Sequence, residues 1–147
     1  MLLALVRHGK AAEAQEDAMR PLSTKGIEQV YQLSQALHKQ KFNFNLIFHS
    51  GLVRAEQTAQ GLQEHAFSHA SLLQKNALRP GNPPLEILNE LLETSESVIL
   101  VGHMPFMGKL ANILGADRCD FSTAGCLVFE RDLSSTATPF KLIWERI

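Results

Sequence analysis

The sequence predicts an α/β fold, a three-layer α/β/α arrangement around a mostly parallel central sheet, built as one compact domain over residues 1–147. Three observations predict it. Residues 2–6, 46–48 and 98–101 are short, continuous apolar runs, the pattern of strands buried on both faces. Each leads into a segment with helical spacing, and strand–helix alternation folds into a parallel sheet covered on both sides. The chain has 147 residues, 45% apolar and 20% charged, which suits a single globular core.

The helices come in chain order. Ser23 or Thr24 supplies an N-cap hydroxyl, and Ile27, Val30, Tyr31, Ser34 and Leu37 then recur at helical spacing. After the second apolar run, Leu52, Ala55, Ala59, Leu62 and Ala66 do the same. Pro83 and Pro84 open a helix with Leu85, Leu88, Leu91 and Leu92 as its apolar positions, and Pro105 opens another through Phe106, Leu110 and Leu114. The period then changes. A strand around residues 127–130 precedes a last one in which Phe140, Leu142 and Trp144 alternate with Lys141, Ile143 and Glu145, the pattern of a half-buried strand. Residues 9–22 and 66–83 are less regular and are expected as loops at the sheet rim, where function concentrates.

Composition excludes several function classes. Fifteen acids against fourteen bases leave a net charge of -1, without the basic footprint of a nucleic-acid partner. The apolar start is too short for a signal-peptide core and no later run approaches a membrane span, so a cytoplasmic chain with no membrane partner is expected. Cys119 and Cys126 are expected to stay reduced, and neither has a partner base that would make it a nucleophile. His65 and His69 share a helical face without the glutamate of a zinc-protease helix, so they read as surface residues. His38 falls at a helix end. His49 is either a tuner of the pocket or a strand-end residue satisfied by backbone.

The chemistry lies at the ends of the three buried strands: Arg7-His8-Gly9-Lys10, then His49-Ser50 with Arg54 one turn on, then Gly102-His103-Met104-Pro105. The carboxyl ends of parallel strands share one rim, and ligands of open α/β sheets bind there. Two arginines and two histidines would converge with no carboxylate among them, a set suited to an anion. Guanidinium forks match phosphate oxygens, and helix N-termini near Ser50 and Pro105 add backbone N–H groups. Nearby arginine charge keeps imidazole neutral and nucleophilic, so either His8 or His103 can attack phosphorus. Taken singly the pieces have plainer readings: Arg54 pairing with Glu56 or Glu64 on a solvated helix face, and His103 capping the last helix. Agreement among three strand ends favours a phosphate site.

Residues 5–10, 20–26 (Arg-Pro-Leu-Ser-Thr-Lys-Gly), 50–59 (Ser-Gly-Leu-Val-Arg-Ala-Glu-Gln-Thr-Ala) and 101–105 (Val-Gly-His-Met-Pro) stand in the order of, and together resemble, the histidine phosphatase superfamily. This is the phosphoglycerate mutase-like group, and the chain is most similar to its small SixA-type phosphohistidine phosphatases. The resemblance implies a phosphoglycerate mutase-like fold in which His8 is the nucleophile and is transiently phosphorylated. Arg7, Arg54 and His103 would surround the phosphoryl group, and Arg20 would reach phosphate or substrate from the first loop. Gly9 is expected to let the backbone turn tightly beneath the site, and Ser50 to cap its helix or touch phosphate.

The implied mechanism is two displacements, attack by His8 and then hydrolysis of the phosphohistidine by water, with no metal or organic cofactor. Larger family members place an acid before the third motif strand. Here residues 78–86 offer no carboxylate in a matching place, and Glu86 and Glu90 read as the solvated face of a helix. An ester leaving group needs a proton donor, whereas ring-protonated phosphohistidine departs as neutral imidazole. The expected substrate is therefore phosphohistidine on a protein such as a phosphotransfer domain or phosphocarrier in bacterial signal transduction. The alternatives are a small phosphate ester, with Glu86 or Glu90 as acid, and a non-catalytic phosphate-binding module.

Overall fold

A computed structural model describes residues 1–117, 120–134 and 139–147. Its strands are β1 (Leu2–Arg7), β2 (Leu46–His49), β3 (Ser71–Gln74), β4 (Val98–Gly102), β5 (Cys126–Arg131) and β6 (Phe140–Arg146), and its helices are α1 (Thr24–Lys39), α2 (Val53–His65), α3 (Pro84–Leu91) and α4 (Phe106–Ile113). They form one sheet in the order β3-β2-β4-β1-β5-β6. β1, β4, β2 and β3 are mutually parallel, and β5 and β6 continue the sheet antiparallel to their neighbours. This is the expected mostly parallel α/β/α sandwich.

Successive strand residues face opposite sides, so a strand between two helix layers must be apolar throughout. In β1, Leu3 and Leu5 join the core beneath α3 and α4, with Ile87, Leu91, Met107 and Leu110. Ala4 and Val6 join the other core, beneath α1 and α2, with Val30, Leu33, Ala59 and Leu62. α1 starts as expected, its Ser23 hydroxyl accepting from the Gly26 amide at 3.0 Å. α4 starts after Pro105 and buries Phe106 and Leu110. Among the described residues, no helix is long and apolar enough to cross a membrane.

Four expectations change. α1 buries Gly26, Val30, Leu33, Ser34 and Leu37, while Ile27 and Tyr31 are exposed. The helix is rotated because Gly26 must lie flush against the Lys10 carbonyl, which a Cβ there would approach to 2.1 Å. α3 buries Ile87 and Leu91 and leaves Leu85 and Leu92 exposed. Within the expected loop 66–83, Ser71–Gln74 adds β3 as an edge strand on β2, too polar and exposed to be read by apolar pattern. The alternation of β6 is broken by a bulge: Val128 pairs with Trp144 and Phe129 with Leu142, skipping Ile143. Phe140 and Trp144 consequently pack into opposite cores.

Candidate active site

The motif segments meet at one rim because β1, β4 and β2 are adjacent and in register, with Arg7 opposite Gly102 and Val101 opposite His49. His8, His103 and Ser50 are the residues that leave these three strands. The His8 backbone is pinned on both sides, its amide donating to Gly102 O at 3.0 Å and its carbonyl accepting from the Ala124 amide at 3.1 Å.

The His8 ring is buried, and its Nδ1 lies 2.7 Å from the Gly9 carbonyl oxygen. That oxygen only accepts, so Nδ1 carries the proton and Nε2 keeps its lone pair. Burial pushes the His8 pKa down to about 4, with the charges of Arg54, Arg7 and Arg20 acting in the same direction against the Gly9 hydrogen bond. At neutral pH it is a neutral imidazole with a defined nucleophilic nitrogen.

His103 stands beside it, ring centroids 5.1 Å apart. Its Nε2 lies 2.7 Å from Ser50 Oγ. The Ser50 hydroxyl also accepts from the Leu52 amide at 3.3 Å, and the His103 tautomer follows the direction of the Ser50 bond: when the hydroxyl donates to Nε2, the ring proton is on Nδ1. Burial, then the neighbouring His8 and Arg54, push the His103 pKa down to about 3, while Asp17 opposes them. Among the described residues, His103 Nδ1 and Arg7 Nε are both buried without a partner, although Arg7 donates from its terminal nitrogen to Phe121 O at 3.1 Å. Buried polar groups ordinarily find partners; an oxyanion would accept from Arg7 Nε and, in the Nδ1–H tautomer, from His103. The first turns of α2 and α4 have no side-chain cap, which leaves backbone N–H groups at the same rim.

Arg54 projects from the first turn of α2 and is buried, yet its partner is neither Glu56 nor Glu64. It donates to the Asp17 backbone carbonyl at 2.9 Å and to the Asp17 carboxylate at 3.2 Å. Arg20 comes from the same loop, its Nε donating to Ala12 O at 3.0 Å and its terminal nitrogen 3.4 Å from the other Asp17 oxygen. Arg54 holds the Asp17 carboxyl below its ordinary range, so it is an anion at neutral pH.

Gly9 has no left-handed backbone; what requires it is crowding, since a Cβ there would come within 2.9 Å of Gly26 O. Ser50 is not the α2 cap, a position held by Leu52, and works instead on His103. Glu90 is paired with Lys75, and Glu86 lies in the first turn of α3. His49 Nδ1 accepts from the Gly51 amide at 3.1 Å, the backbone-satisfied alternative. His38 is in the last turn of α1, and His65 packs edge-on to Tyr31. Cys126 is a buried free thiol whose pKa burial pushes up. Cys119 lies outside the described residues.

Two residues are not legible as functional from the sequence. Asp17 sits in the loop expected to carry function, but nothing in its spacing pairs it with Arg54. Thr58 lies one turn after Arg54. Its hydroxyl donates to Arg54 O at 2.8 Å and accepts from the Gly9 amide at 3.0 Å, tying the loop that follows His8 to α2. The four-residue spacing from Arg54 is the signal that could have found it.

Known proteins are similar to this chain in sequence and in arrangement. A model of the histidine phosphatase superfamily (branch 1) matches residues 3–79. The phosphohistidine phosphatase SixA of Escherichia coli is 30% identical over 115 residues, 75% of this chain and 71% of that protein. The structure of the protein histidine phosphatase SixA complexed with tungstate matches with a TM-score of 0.89 and 26% identity, covering 99% of this chain and 96% of that one. A protein of Agrobacterium tumefaciens described as a candidate phosphohistidine phosphatase SixA gives 0.84 and 25%, covering 99% and 97%. The matched segment contains His8, Arg20, Ser50 and Arg54, and the shared fold runs on through β4 to His103. On the strength of both sequence and structure, this chain belongs to the histidine phosphatase superfamily and is a phosphatase.

Proposed function

We propose that the chain removes phosphate from a phosphorylated histidine on another protein, a bacterial phosphotransfer domain or phosphocarrier in the cytoplasm, through an intermediate at His8. His8 Nε2 attacks phosphorus in line, and the phosphorus–nitrogen bond of the substrate breaks with its electron pair passing to the departing imidazole. If that ring enters with its second nitrogen protonated, it leaves neutral and needs no acid. Arg7 and Arg54 balance the charge of the equatorial oxygens, and His103 Nδ1 donates to one of them. Water then attacks the phosphohistidine, His8 departs as neutral imidazole, and the water proton leaves with phosphate or solvent. The Escherichia coli relative SixA is a phosphohistidine phosphatase, which supports the same substrate class.

The carrying observation is the state of Asp17. It is the carboxylate that reaches Arg54, and Arg54 holds it ionised, the wrong form to protonate an ester oxygen. Glu90 is engaged by Lys75. A phosphoramidate, whose leaving group needs no such donor, fits this site better than an alkyl phosphate. Turnover of a phosphohistidine-bearing phosphotransfer domain should exceed that of sugar phosphates, nucleotides and phosphoserine by at least about a hundredfold in kcat/KM. Comparable or faster turnover of any ester would overturn the substrate assignment.

A further inference from the structure

Asp17 occupies the guanidinium edges that a phosphoryl group would need. Its carboxylate spans Arg54 at 3.2 Å and Arg20 at 3.4 Å. The two sides of this bridge differ in burial: the Arg54 side chain is 8% exposed and that of Asp17 67%. The arginine is fixed, whereas the carboxylate can turn into water at little cost.

Neither arginine depends on the carboxylate for its orientation. Arg54 is held by the backbone carbonyl of Asp17 at 2.9 Å, and Arg20 by that of Ala12 at 3.0 Å. What the Asp17 side chain adds is therefore mainly its charge.

We infer that Asp17 is a built-in competitor for the phosphoryl site, covering Arg54 and Arg20 in the resting enzyme, turning outward when phosphoryl oxygens take them, and returning as inorganic phosphate leaves. The inference rests on the reading of His8, Arg7, Arg54 and His103 as a phosphoryl site. The exchange replaces one anion by another on the same donors, so the buried Arg54 is never left without an anionic partner, a state that costs far more than an exposed ion pair contributes. It also weakens retention of the product, which carries the same charged oxygens as the substrate.

The test is calorimetric binding of inorganic phosphate and orthovanadate to wild type, Asp17→Asn and Asp17→Glu, with product inhibition by phosphate measured in turnover. Asp17→Asn keeps the side chain's size and both backbone anchors but removes the charge. It should bind both anions about three- to tenfold more tightly and be inhibited by phosphate at correspondingly lower concentration. Asp17→Glu, which keeps the charge, should stay within about twofold of wild type. Equal or weaker anion binding by Asp17→Asn, at an unchanged thermal midpoint, would mean that the carboxylate only positions the arginines and would overturn the inference. Failure of wild type and both variants to bind either anion would overturn the phosphoryl-site reading as well.

Discussion

Ser50 Oγ stands 2.7 Å from His103 Nε2, joining the ends of β2 and β4 at the floor of the site. The same oxygen accepts from the Leu52 amide, and by donating its own proton to Nε2 it would hold the His103 proton on Nδ1. Ser50→Ala leaves Nε2 buried without a partner and frees the ring to change tautomer. A lost partner of this kind costs about 1–3 kcal/mol, so kcat/KM should fall about ten- to a hundredfold with little change in the far-ultraviolet circular dichroism. Unchanged kcat/KM would show that the Ser50 hydrogen bond does not control His103.

The histidine pair sets the pH response. Burial pushes the His8 pKa down to about 4 and the His103 pKa down to about 3, and with rings 5.1 Å apart protonating one disfavours protonating the other. Attack needs neutral His8, so the enzyme's contribution to kcat/KM is lost as pH falls through about 4, whereas a loss toward neutrality belongs to deprotonation of the substrate's own ring, ordinarily at about pH 6.5. An ordinary imidazole would be largely protonated at pH 5. Nitrogen-15 NMR of the free enzyme should show both rings neutral at pH 5.5. A His8 midpoint near 6.5 would contradict the account.

The flush contact of Gly26 with Lys10 O governs the loop that carries His8. A Cβ at Gly26 would stand 2.1 Å from that oxygen, which is backbone and cannot step aside alone. Gly26→Ala should force α1 away from residues 8–10, costing about 1–3 kcal/mol, the usual penalty of overpacking. Urea denaturation measures the loss, and kcat should drop with it. A stable, fully active Gly26→Ala would show that the contact relaxes freely.

These consequences mark where the sequence was legible. β1 and β4 could be read because strands covered on both faces must be apolar throughout, and the rim cluster because a parallel sheet fixes where their ends lie. The buried stripe of α1 could not be read from side-chain polarity, since Gly26 turns inward to meet a backbone oxygen and displaces Ile27 to the surface. The bulge at Ile143 is a ladder property that alternation of residue types does not announce. Asp17 and Thr58 were missed for a related reason. Their roles depend on loop backbone and on side-chain reach across elements; Asp17 leaves no period, and Thr58 leaves only its four-residue spacing from Arg54.

The proposed transfer runs directly from a phosphohistidine to His8. It is tested most directly by mixing the enzyme with a phosphotransfer domain carrying phosphorus-32 on histidine, quenching in alkali within milliseconds to seconds, and mapping the label. Acid-labile, alkali-stable label is expected on His8, rising and then decaying as phosphate appears, with neither label nor release in His8→Ala. Phosphate release by His8→Ala at the wild-type rate, or label on any other residue during turnover, would contradict it.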